Sequence, residues 1–150
     1  MPDPLLLGPA ALFLATTAYG TAVAATRPGL AGEVFGLQLP GRVRTHLALG
    51  LGSAVSAPWP MPVITLWAAV RGAPSSRWSA VTVTVVGSGV LAGTLAEPLT
   101  WGRRPAAWSA RLSVPLHLAV GAALVGAGAR RLRQQAGAVG AEPAQGAPTR

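Results

Sequence analysis

Cysteine and lysine are both missing from the 150 residues, and only four are acidic. Without cysteine there is no disulfide framework, no thiol chemistry and no cysteine-based metal site. Without lysine, the net charge of +8 rests on arginine alone. Charged residues make up 11% of the chain, against about 25% in an ordinary soluble domain.

The places that lack charge are more informative than the total. No Asp, Glu, Lys or Arg occurs from Pro4 to Thr26, Thr45 to Val70, Trp78 to Ala96, or Leu112 to Ala129. A helix that crosses a bilayer needs about 20 mostly apolar residues, with roughly 17–25 tolerated. Each run is close to that length. A soluble fold of this size needs charged faces on its helices, and these runs have none. The pattern predicts an all-α membrane protein, a four-transmembrane-helix bundle with spans at about 5–26, 47–70, 78–97 and 112–129. These spans form one domain over 1–133. The remainder, 134–150, is rich in Ala, Gly, Pro and Gln and reads as a disordered tail.

A sequence pI near 12 is compatible with nucleic-acid binding. Here, however, the arginines sit between apolar runs and form no basic face along one element. They read as membrane-flank charge, so the expected partner is the lipid bilayer and not nucleic acid. Arginine without lysine, together with abundant Ala, Gly and Pro, points to high-GC coding and hence to a bacterial cell (inner) membrane. The first run is read as a span and not as a cleaved signal peptide. Its N-terminus, Met1-Pro2-Asp3-Pro4, is acidic where a signal is basic, and the apolar stretch exceeds the usual 7–15 residues.

The second run is the irregular one. Its middle reads Pro58-Trp59-Pro60-Met61-Pro62. Each proline removes a backbone donor and clashes with the preceding turn. The expectation is a Pro-kinked or broken second helix, with the break turned toward protein or water. The third run opens as Val81-Thr82-Val83-Thr84-Val85, which alternates like a strand. It is too long for an ordinary strand, so helix is expected. Trp67 and Trp78, and Trp101 and Trp108, fit two interfacial belts. The arginine tally of the two sides is nearly balanced. The cluster Arg130, Arg131 and Arg133 against the fourth run favours both termini inside.

Chemistry concentrates on one side. Glu97 ends span three, and His117 lies about 8 Å into span four from the same side. His46, Arg103 and Arg104 belong to that side as well. Gly89, Gly93 and Glu97 recur every four residues, and His117, Gly121 and Gly128 share a second small-residue face. If these stripes pack together, Glu97 and His117 point inward and meet. The plainer readings are a helix-end carboxylate balanced by Arg103 or Arg104, and a core histidine bonded to a carbonyl. The break at Pro58, Trp59, Pro60 and Pro62 is the other candidate site, because freed carbonyls at a broken span can hold a ligand. No local metal-ligand spacing occurs, so no metal and no cofactor are expected.

The expected role is a non-enzymatic membrane component that binds an apolar ligand, a lipid or a partner membrane protein, with homo-oligomerisation as a further option. Two alternatives differ in class. One is a membrane-embedded enzyme or quinone-type redox partner using His117 and Glu97. The other is a transport or channel subunit built around the Pro58–Pro62 break.

Overall fold

A computed structural model describes residues 2–27, 33–34, 37–38, 41–73, 75–103 and 106–140. The chain is all-α apart from a two-residue antiparallel ladder, β1 (Glu33–Val34) against β2 (Leu37–Gln38). The helices are α1 (Pro4–Ala25), α2 (Val43–Ala48), α3 (Pro60–Arg71), α4 (Arg77–Ala96) and α5 (Trp108–Gly140). A 3-10 turn covers Pro98–Trp101. Among the described residues three helices, α1, α4 and α5, are long and apolar enough to cross a membrane. Contacts run in the cyclic order α1–α3–α4–α5, with α5 packed most extensively on α4.

The second expected span is not one helix. Within 47–70, Leu47 and Ala48 end α2 and regular helix resumes only at Pro60; α3 has 12 residues, about 18 Å of rise. The prolines explain where it starts. Pro60 and Pro62 occupy its first turn, where a backbone N–H has no intrahelical partner to lose and a fixed φ suits the helix. The proline cluster is therefore a helix start and not a mid-helix kink. The irregular stretch lies before it, from Leu49 to Trp59. Gly50 and Gly52 turn this stretch through positive φ values of 72° and 82°, which side chains with a Cβ resist.

That stretch satisfies its own backbone, as an apolar setting demands. Ser53 and Ser56 exchange backbone hydrogen bonds, and the Trp59 N–H donates to the Gly50 carbonyl at 3.0 Å. It is also fastened to α1. The Ser56 hydroxyl donates to the Thr17 carbonyl at 3.2 Å, the Thr21 and Ser56 hydroxyls bond at 2.8 Å, and Trp59 Nε1 donates to Thr21 Oγ1 at 3.2 Å. A Cβ on Gly20 would lie 1.9 Å from the Val55 carbonyl oxygen. The polar second half of α1 thus docks a loop.

The alternating Val-Thr segment is helical, within α4. Thr84 Oγ1 donates to the Ala80 carbonyl at 2.8 Å and Thr94 Oγ1 to the Val90 carbonyl at 2.8 Å. Such i−4 bonds satisfy a hydroxyl within the helix that carries it. The fourth apolar run also differs from expectation at its end. Helix α5 continues through Arg130, Arg131 and Arg133 to Gly140, because arginine ends an apolar span without ending a helix. Helix therefore occupies Gln134 to Gly140, part of the stretch expected to be a tail, and 141–150 lies outside the described residues.

Arg131 has a specific partner. Its Nε donates to Asp3 Oδ2 at 2.6 Å and its Nη2 to Asp3 Oδ1. Asp3 is buried, caps α1 by accepting from the Leu5 N–H at 3.0 Å, and donates its own N–H to the Ala69 carbonyl at 3.0 Å. One residue therefore ties the start of α1 to the end of α3 and to α5. The four tryptophans expected in belts lie at the surface. Trp67 and Trp78 meet edge to face with centroids 5.2 Å apart, and Trp101 and Trp108 are exposed.

Candidate functional site

The seam between α4 and α5 is built on glycine, but not on the stripe expected for α4. A Cβ on Gly87 would lie 2.7 Å from Leu124 Cβ and 2.9 Å from the Gly121 carbonyl oxygen. A Cβ on Gly128 would lie 2.8 Å from the Ala80 carbonyl oxygen. The α5 face with Gly121 and Gly128 is the expected one. On α4 the partner face runs through Ala80, Thr84, Gly87 and Leu91. Gly89 and Gly93 are exposed, and a Cβ on Gly93 would meet nothing within 4 Å.

Those two glycines face a cavity of about 290 Å³. Three segments wall it: the irregular stretch from Leu51 to Pro58 with Met61, the C-terminal half of α4 with Thr100, and the start of α5 at Ser113, Val114 and His117. Glu97 and His117 both line it. They share a cavity, though the route differs from the expected one. The α4 stripe that carries Glu97 turns toward the irregular stretch before α3 and not into the α5 seam. The cavity thus joins Glu97 and His117 of one candidate site to Pro58 of the other.

The side chains in it are held in place. Glu97 is the C-terminal cap of α4, and the Thr100 N–H donates to its carbonyl at 3.0 Å. The Thr100 hydroxyl donates to the Thr94 carbonyl, folding the 3-10 turn back over the helix end. His117 is 5% exposed. Its Nδ1 lies 2.8 Å from the Ser113 carbonyl oxygen. A carbonyl only accepts, so Nδ1 is the donor. His117 Nε2 is buried and has no hydrogen-bond partner among the described residues.

The other expected residues divide. Pro58 lines the cavity, whereas Trp59, Pro60 and Pro62 hold the loop and start α3. His46 is buried in α2, outside the lining. Arg103 is exposed and also outside it. Arg104 lies outside the described residues. Among the described residues, no three of His, Asp or Glu come close enough to hold a metal ion.

No family model matches the chain, and no curated protein or solved structure is detectably similar to it. The site must be read from its own chemistry. Its walls are mostly apolar, with Ser53, Ser56, Thr94, Thr100 and Ser113 added to the ionisable pair. Small-molecule sites have this make-up: an apolar body with a few convergent polar groups, usually about 300–1,000 Å³. Sequence reasoning missed the irregular stretch as a wall. Its signal was present in Gly50-Leu51-Gly52-Ser53, a turn-forming run ahead of the prolines.

Proposed function

We propose that this chain crosses a bacterial cell membrane four times and binds an amphiphilic ligand within the bilayer, without carrying out chemistry on it. The fourth crossing is the composite of α2, the irregular stretch and α3. Its support is positional. Trp59 bonds Thr21 near one end of α1, and Ala69 bonds Asp3 at the other. From Thr21 to Asp3 the helix rise is about 27 Å, close to the roughly 30 Å of a hydrocarbon core.

The observation that carries the binding role is the cavity that joins Glu97 and His117 to the Leu51–Pro58 wall. Leu51, Gly89 and Gly93 line it and are exposed. Its mouth therefore opens on the outer face of the bundle, where a lipid-soluble ligand can arrive laterally. The enzymatic alternative keeps Glu97 and His117 in the cavity, while Arg103, one of its two arginines, stands outside the lining.

The test is to purify the protein in mild detergent and identify bound small molecules by native mass spectrometry. Wild type is expected to retain a bilayer-derived amphiphile. Gly93→Leu places a side chain at the mouth where a Cβ meets nothing within 4 Å. It should lose the ligand while keeping the wild-type circular dichroism. A wild type with nothing bound, or a Gly93→Leu protein that retains its ligand, sinks the reading.

A further inference from the structure

We infer that the cavity selects ligands whose polar end donates a hydrogen bond, an alcohol or phenol over the matching ether or ketone, with His117 Nε2 as the acceptor. This rests on the binding role proposed above. The warrant is the pairing of the imidazole ring. The Ser113 carbonyl, 2.8 Å from Nδ1, fixes the ring proton on that nitrogen. In the neutral ring the second nitrogen is then a lone pair and not a donor. That lone pair is buried with no partner among the described residues, on a side chain 5% exposed that lines the cavity.

A buried acceptor without a partner carries an uncompensated desolvation cost, and a hydroxyl proton delivered by a ligand removes it. An ether or ketone brings only more lone pairs and leaves Nε2 as it was. The ligand class that follows is a hydroxyl-bearing amphiphile. Its apolar body lies toward Leu51, Gly89 and Met61, and its hydroxyl toward His117. The same rule separates the two redox states of a quinone-type molecule, since only the reduced form carries hydroxyl donors.

A matched probe pair, 4-hexylphenol and 4-hexylanisole, tests this on the full chain in lipid nanodiscs. The two differ in the hydroxyl proton, which a methyl group replaces. The phenol is expected to bind roughly ten-fold more tightly. The chain has only two histidines, so ¹⁵N-histidine spectra resolve His117, and its Nε2 resonance should move with the phenol but not with the anisole. In His117→Leu the two probes should bind equally. Equal binding to wild type with an unmoved Nε2 resonance overturns the hydroxyl preference. If Gly93→Leu still abolishes both, the cavity remains a ligand site. If neither probe binds wild type, the cavity reading falls, and the inference with it. The wild-type spectra need no variant to fold.

Discussion

The two ends of the molecule use similar residues to opposite effect. At the end where α1 and α4 begin, glycines close the structure. Gly128 lets α5 lie against the backbone of Ala80 and Thr84, and Gly87, at the middle of α4, continues the seam against Gly121 and Val125. The buried Asp3 carboxylate then bonds Arg131 across the helices. At the other end, Gly93 has open space where a partner helix would be, Gly89 faces the Met61 side chain, 3.5 Å from an added Cβ, and an irregular loop stands off to leave a cavity. The difference lies in what each glycine faces. Small residues in membrane helices permit close approach, but approach follows only where another helix supplies the matching face. A closed end and an open end in one bundle amount to a packed frame beside a cavity.

Breaking the closed end should have the largest effect. Arg131→Leu leaves the Asp3 carboxylate buried without its cation. The expected loss is about 3 kcal/mol of stability, since removing one partner of a buried pair leaves an uncompensated charge. A detergent-solubilised thermal melt measures it. The double variant with Asp3→Asn should recover part of the loss, as a neutral amide is cheaper to bury than a carboxylate. A single variant that melts like wild type would show that this end is not held by the pair.

Much of the frame was legible in the sequence, and the reason is physical. Charge-free runs report span length directly, so α1, α4 and α5 follow from composition. The small face of α5 through Gly121 and Gly128 also follows, because a helix repeat places both on one side. Three features were hidden. The Asp3–Arg131 pair joins residues 128 positions apart, and no local pattern encodes that. The proline cluster reads equally as a kink or as a helix start; what decides is the hydrogen-bonded loop before it, fastened to Thr17 and Thr21. On α4, Gly87 and Gly89 are both small, and spacing alone cannot say which of them meets α5. The cavity depended on that choice.

Overpacking the closed seam should come next in size. Gly87→Val adds a branched side chain whose Cβ would sit 2.9 Å from the Gly121 carbonyl oxygen and 2.9 Å from the Val125 nitrogen. These are backbone atoms that cannot swing aside, so α4 and α5 must separate. A cost of about 2 kcal/mol is expected from such crowding, read as a lowered melting temperature. An unshifted melt would mean that the seam has slack, and the contrast between the two ends would weaken.

The smallest effect should appear two turns along the same helix, and its sign is the informative part. Gly93→Ala adds a Cβ that meets nothing within 4 Å. No contact is lost and none is crowded. What changes is the backbone freedom of a helical residue, which favours alanine over glycine by about 0.5 kcal/mol. The variant should melt at or slightly above the wild-type temperature. A methyl group is also too small to fill a cavity of about 290 Å³, so the ligand should stay bound. Gly87 and Gly93 would then respond to added bulk with opposite signs on one helix. Should Gly93→Ala instead destabilise the protein, something packs against that face, and the open end would be a contact surface and not the mouth of a site.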